Sequence, residues 1–520
     1  MLTRRGFLTR VGQAGGYGAA FATMNAFGLM PQLARAAGQI DLAPGSGKGL
    51  RVVILGGGIS GLVSAYELGK AGYQCTLLEA RDRPGGRNWT VRNGTTVEFT
   101  DGTKQTAKYI GEGSYFNAGP ARISSLHKTM HSYCRELGVQ LEVFVNTNRN
   151  TLVASDRAWG GKPVEQRQVI NDSRGWIAEL LTKSTNQGAL DRELTKDDRE
   201  RLLILLRSFG DLRDGQYKGS SRAGVSRLPG AGDITEQERP PLDLHSLLDS
   251  GLWGNLTQEE SLEMQATMFQ PVGGMDRIPY AFAKKLGNVL QLRCVVKEIR
   301  KTSNGIRVVY TQNGAEKNIA ADYCICTLPV NQLKNVVNDF SPAVKQAIGD
   351  VRYNDSYKIA WESKRFWETE YNIYGGISWI QGGPINMIWF PSGGIHNETG
   401  VILSGYGLQS LPAFNALQSM DAKINASRAA VEKMFPGHGE GLRSPIYVVW
   451  EKIPYNEGAW VGSFGGTYYN GPYRAFQAPD DHIYFAGDYC SHLLTWQEGA
   501  ALSAQRTVSM IGAHVRAVKA

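Results

Sequence analysis

Six residues near the start of the chain, Gly56-Gly57-Gly58-Ile59-Ser60-Gly61, constrain its fold more than any other stretch. They follow Arg51-Val52-Val53-Ile54-Leu55, a β-branched apolar run that reads as a buried strand. They precede Leu62-Val63-Ser64-Ala65-Tyr66-Glu67-Leu68, where apolar positions recur at helical spacing. Between a strand and a helix these glycines have separate tasks. Gly56 makes the tight turn, Gly58 lets the backbone approach a pyrophosphate, and Gly61 lets the helix pack on the strand. The first helical residues, Ile59 and Ser60, then present free N–H groups and a partial positive charge to that pyrophosphate. A second strand, Gln74-Cys75-Thr76-Leu77-Leu78, ends at Glu79, 18 residues after Gly61. A carboxylate there accepts hydrogen bonds from ribose hydroxyls. The expectation is a Rossmann-like α/β domain that binds a dinucleotide.

One such domain does not use up the chain. At 520 residues, two or three domains are expected. The formal charge of +8 is spread out, with acids interleaved as in Asp197-Asp198-Arg199-Glu200-Arg201, so no basic stripe marks a nucleic-acid partner. Six cysteines include no CxxC pair, and no metal site is expected. Cys324 and Cys326 are spaced to share one strand face and read as small buried apolar groups.

The first 36 residues read as an address. Thr3-Arg4-Arg5-Gly6-Phe7-Leu8 precedes an uncharged stretch over 11–30, rich in Gly and Ala, and then Ala34-Arg35-Ala36. This looks like a twin-arginine signal, which predicts export to the periplasm or beyond. The stretch is too polar for a stable membrane anchor, and no later run is long enough to span a bilayer.

Downstream of Glu79 the chain reads Glu79-Ala80-Arg81-Asp82-Arg83-Pro84-Gly85-Gly86-Arg87. This resembles the E-A-x-x-x-x-G-G-R segment of the flavin amine oxidase superfamily, which NAD dehydrogenases lack. Further segments match in the family's order: Asn117-Ala118-Gly119-Pro120-Ala121-Arg122-Ile123, Val272-Gly273-Gly274-Met275-Asp276, Arg293-Cys294-Val295-Val296-Lys297, Tyr357-Lys358-Ile359 through Trp367, Tyr484 through Tyr489, and Thr495-Trp496-Gln497-Glu498-Gly499-Ala500. Together they cover residues 51–511 and are most similar to L-amino acid oxidases. The resemblance implies FAD as cofactor, with Arg87 on its phosphates, Val295 at the adenine and Asp488 on the ribityl chain. It further implies contacts from Gly86, Gly119, Pro120, Ala121, Gly487, Gln497, Glu498 and Ala500. Arg122 is implied to hold a substrate carboxylate, Lys358 to face flavin N5 through a water, and Thr495 and Trp496 to wall the substrate pocket.

The chain departs from the pattern in two places. Where several relatives carry a tyrosine facing the carboxylate, this chain reads Ile388-Trp389-Phe390-Pro391, and the match falls on Phe390, which has no hydroxyl. Where monoamine oxidases attach flavin to a cysteine, it reads Gly462-Ser463-Phe464-Gly465-Gly466-Thr467-Tyr468, so FAD is expected to be noncovalent. The architecture implied has an FAD domain from 50–88, 265–340 and 470–515, and a mixed-sheet substrate domain from 89–145 and 341–465. A helical insertion over 146–260 shapes the entrance, with Gly215 to Pro241 as a loop, and a homodimer or higher homo-oligomer is expected. The chemistry implied is oxidation of an L-amino acid by O2 to a 2-oxo acid, ammonia and hydrogen peroxide. The alternatives are an amino acid monooxygenase giving an amide and CO2, an amine oxidase, and a flavin-carrying protein without turnover.

Overall fold

The computed structural model describes residues 40–408, 410–463 and 471–519. The signal read over 1–36 and the glycine-rich stretch 464–470 lie outside them. Strand β1 (Arg51–Leu55), helix α1 (Ile59–Lys70) and strand β2 (Gln74–Leu78) form where the periodicity predicts them. Helix α2 (Lys128–Glu136) follows, then two short strands, β3 (Leu152–Ser155) and β4 (Val164–Glu165). Helices α3 (Gln166–Asn186) and α4 (Lys196–Gly210) pack against each other, and α4 begins with a capping box between Thr195 and Asp198. The remaining strands that position the site are β5 (Leu290–Gln291), β6 (Tyr323–Cys326), β7 (Tyr357–Lys364), β8 (Gly376–Gln381), β9 (Met387–Phe390), β10 (Thr399–Gly407), β11 (Arg443–Val449) and β12 (Ile483–Phe485). The long helix α5 (Gln497–Lys519) ends the described chain.

Two sheets carry the molecule. The first is parallel, in the order β5-β2-β1-β6-β12, with Leu55 opposite Leu78 on one side and Cys326 on the other. Its central strand is apolar on both faces because both faces are covered. Val52 and Ile54 join a cluster with α1 and α5, while Val53 and Leu55 join one with Cys324, Cys326 and the hairpin strands after Cys294. The two thiols are fully buried on one strand face.

The second sheet, β4-β3-β8-β9-β10-β7-β11, is mixed: β3 and β8 are parallel and the other pairs antiparallel. This corrects the expected boundary of the insertion. Residues 146–165 supply β3 and β4 to this sheet, and helix begins only at Gln166. The interval is polar enough to suggest an insertion, but Val153-Ala154-Ser155 is buried and paired with Trp379 to Gln381, and Val164–Glu165 forms the sheet edge on that side. The Gly215–Pro241 segment holds a short hairpin, Val225–Arg227 with Gln237–Glu238.

Candidate active site

A cavity of about 290 Å3 runs from the carboxyl ends of β1 and β2 to the face of the mixed sheet. Open α/β sheets place ligands at such strand ends. The dinucleotide end is built by glycine geometry. Gly56 turns the chain at φ +99°, and its N–H donates to Leu78 O at 2.8 Å. A Cβ on Gly61 would lie 1.9 Å from Gly56 O, so only glycine lets α1 sit this close to β1. A Cβ on Gly58 would meet nothing within 4 Å, which leaves that side open to the cavity. Gly58 also carries no capping side chain, so the first N–H groups of α1 remain available. Gly86 stands opposite, with its Cβ position 3.5 Å from Gly58 Cα. An open, uncapped helix N-terminus between two glycines, with Arg87 at its side, fits a pyrophosphate.

Glu79 stands at the end of β2 but is not a free carboxylate. Its Oε2 accepts from Gly57 N at 2.7 Å and its Oε1 from Arg81 N at 2.9 Å. Arg87 donates to both carboxylate oxygens of Asp488 and to Ala459 O. Ile59, Ser60, Ala80, Gly119, Pro120, Ala121, Gly487, Gln497 and Ala500 also line the cavity, as do Thr495 and Trp496. Ser60 Oγ donates to Ala500 O at 2.8 Å and so joins the starts of α1 and α5.

Three residues of the implied set do not line this cavity. Glu498 does not line the cavity; its carboxylate accepts from Thr129 N at 2.9 Å and Met130 N at 2.8 Å, which caps α2. Val295 is paired with Thr311 in its hairpin and is not among the lining residues. Phe390 also lies outside the lining and packs among Trp367 and Phe435. Alternate residues of a strand face opposite ways, so with Trp389 turned into the cavity its neighbour Phe390 cannot be.

At the sheet end four side chains converge. Arg122 is a buried guanidinium that donates to Asn146 Oδ1 at 2.5 Å and lies 4.9 Å above the Trp389 ring. Among the described residues no carboxylate lies within ion-pair distance of it, and burial pulls its pKa down to about 10. Lys358 Nζ donates to Asn117 O at 2.7 Å and Gly119 O at 2.6 Å. Burial, with a smaller contribution from Arg122, lowers its pKa to about 7.

The fourth group is Tyr406, which lines the cavity directly across from Lys358 in the β7–β10 register. Its ring centre is 4.9 Å from Lys358 Nζ and 5.4 Å from that of Trp389. A β-bulge puts it there. Lys358 pairs with Tyr406 and Ala360 with Leu403, so three steps on β10 oppose two on β7, at Gly405 with φ +117°. A tyrosine thus lines the cavity from the strand next to the one that carries Phe390. Met264, just past the insertion, also lines the cavity and was likewise not legible. The sequence signal for Tyr406 was the run Gly405-Tyr406-Gly407 inside an apolar strand, where glycine marks a bulge.

Comparison with known proteins agrees with this geometry. The family model described as flavin containing amine oxidoreductase matches residues 59–511. The L-amino-acid oxidase of Pseudechis australis is 25% identical over 484 residues, covering 88% of this chain and 87% of that protein. That of Gloydius blomhoffii is 27% identical over 488 residues, covering 88% and 87%. Among solved structures, putrescine oxidase bound to putrescine matches with a TM-score of 0.57 at 17% identity, over 90% of this chain and 99% of that one. Cyclohexylamine oxidase from Brevibacterium oxydans gives 0.59 at 15%, with the same coverage. At those identities the likeness concerns the fold, which is the α/β flavin-binding fold expected. The chain therefore belongs to the flavin-containing amine oxidoreductases.

Proposed function

We propose that the chain is an FAD-dependent L-amino acid oxidase, which turns an L-amino acid, O2 and water into a 2-oxo acid, ammonia and hydrogen peroxide. The observation that carries this reading is Arg122, a buried guanidinium in the cavity with no acidic partner among the described residues. An unpaired buried charge is costly, and a carboxylate ligand removes that cost while accepting two N–H bonds in one plane. Tyr406, which lines the same cavity and meets Trp389 edge-on, adds a phenol hydroxyl for the same carboxylate.

FAD is proposed to lie along the cavity, with its pyrophosphate at Gly58 and Gly86 and with Arg87 and Asp488 beside it, held without a covalent bond. Bound there, it supplies a two-electron acceptor for the substrate Cα–H bond and a route for those electrons to O2. Arg122 and Tyr406 fix the carboxylate and thereby the orientation of Cα, which contributes rate through positioning. Trp389 and Trp496 exclude water from the reacting carbon. The lining at this end holds no His, Asp or Glu among the described residues, and the substrate ammonium loses its proton before it binds or gives it to water. In its ammonium form Lys358 has three N–H groups, two of them committed to Asn117 O and Gly119 O. The third is free to point at O2 or a water, where a positive charge in a dry site favours electron transfer to oxygen.

The test is anaerobic mixing. An L-amino acid should bleach the flavin, and the amine lacking its carboxylate should do so far more slowly. Equal bleaching by the two would reject the carboxylate reading. Residues 1–36 are proposed to direct twin-arginine export, and replacing Arg4 and Arg5 by lysine should then retain the protein in the cytoplasm. Unchanged export would reject that address.

A further inference from the structure

A second cavity, also of about 290 Å3, lies behind the first. Phe116, Phe144, Phe390, Val401 and Leu403 give it an apolar wall beside Trp389, and Glu142, Gln270 and Arg365 line it as well. Nothing in the reaction described above uses it. Two residues line both cavities, Ala121 and Trp389. Ala121 is too small to separate them, so the indole of Trp389 is the partition.

That indole is fixed from several sides. Its Nε1 donates to Met387 Sδ, the Arg122 guanidinium covers its face at 4.9 Å, and Tyr406 meets it edge-on at 5.4 Å. Phe144, a wall of the second cavity, packs on it at 6.1 Å. A ring pinned by contacts from both cavities is a wall rather than a hinged door.

We propose that Trp389 determines substrate specificity by setting the depth of the catalytic cavity, and that the apolar wall of the second cavity becomes open to substrate when this side chain is removed. The inference rests on the carboxylate site at Arg122. A ligand anchored there extends its apolar chain until it meets the indole; with the indole gone, the chain continues into the space between Phe144 and Leu403.

Straight-chain carboxylates from acetate to decanoate test this without turnover, their dissociation constants being read from the absorbance change of bound flavin. In the wild-type holoenzyme, affinity should rise with chain length and then level off. In Trp389→Ala the rise should continue over several more methylenes, at roughly fourfold each, the value of burying one CH2. Loss of the ring under Arg122 weakens every member alike, so a purely structural role moves the whole series without moving the chain length at which it levels. Trp389→Phe keeps a wall and should level near the wild-type length. Trp389→Leu, which keeps the strand apolar, should extend the rise by an intermediate length and serves if the alanine variant does not retain flavin. An unchanged levelling point in the alanine and leucine variants would overturn the partition and leave the Arg122 site standing. Absence of any carboxylate response in wild type would reject that site, and the partition with it.

Discussion

The Arg87 guanidinium donates to both oxygens of Asp488, at 3.2 and 2.5 Å, although 401 residues separate the two in sequence. One follows the first βα unit and the other precedes α5, so their pairing closes the cavity from both ends of the chain. Asp488 also accepts from Thr495 N at 3.1 Å, which ties the turn before Trp496 to the same carboxylate. Sequence matching assigns the two residues to separate parts of the cofactor, whereas the structure makes them one unit.

Removing both members should therefore cost less than the two single losses added together. Arg87→Met leaves the buried Asp488 carboxylate unpaired, and Asp488→Leu leaves the guanidinium so. The double variant should retain flavin better than the sum of single losses allows, with a coupling of about 1–3 kcal/mol. Flavin content after gel filtration measures it, and acid precipitation should release all of the flavin to the supernatant. Additive losses would separate the pair.

Arg122→Lys keeps the charge and loses the planar fork, so kcat/KM for an L-amino acid should fall at least ~10-fold, given about 1.5–3 kcal/mol for a charge-assisted bond. Tyr406→Phe should fall less, by several-fold, with most of the change in KM. Steady-state kinetics on both variants distinguish the two donors. Unchanged kinetics in Tyr406→Phe would return the carboxylate to Arg122 alone.

Lys358→Met should leave anaerobic flavin reduction nearly intact and slow reoxidation by O2 at least ~10-fold, a contrast that stopped flow reads directly. In wild type the reoxidation rate should fall as pH rises through about 7, where Nζ loses its proton, and the variant should show no such step. The same shift has a stability consequence. Between pH about 7 and the ordinary value of 10.5 the unfolded chain keeps the lysine proton that the native protein has lost. The contribution of this group to stability therefore rises with pH across that window and is constant below it. The excess Tm of Lys358→Met over wild type should shrink from pH 7 towards pH 10.

Glu498→Gln should behave as a lost helix cap rather than a damaged cofactor site. With one carboxylate replaced at the start of α2, stability should drop by about 1 kcal/mol while kcat/KM and flavin content stay the same. Thermal unfolding of the flavin-loaded protein checks this, and flavin loss without destabilisation would move Glu498 back to the cofactor.

The parts legible in the sequence were those that local chemistry dictates. Gly56, Gly58 and Gly61 announce their roles because each answers a backbone demand of the turn, and Arg122 and Lys358 lie in segments whose order alone brings them together. Matching failed where a side chain's direction decides. Phe390 was one residue out of phase with the cavity, a displacement that strand alternation turns into the opposite face. Tyr406 was missed because its direction depends on a bulge at Gly405, which pattern reading treats as a break in alternation. Glu498 sits among true lining residues in sequence, yet one step along α5 turns it towards α2. The strands over 152–165 were hidden by the polar composition around them, since each is only two to four residues long.

Product analysis tests the central claim most directly. Wild-type enzyme turning over its best L-amino acid in air should yield 2-oxo acid and hydrogen peroxide in near one-to-one ratio, with one O2 consumed for each. An amide and CO2 as the main products, or turnover confined to amines without a carboxylate, would contradict the account.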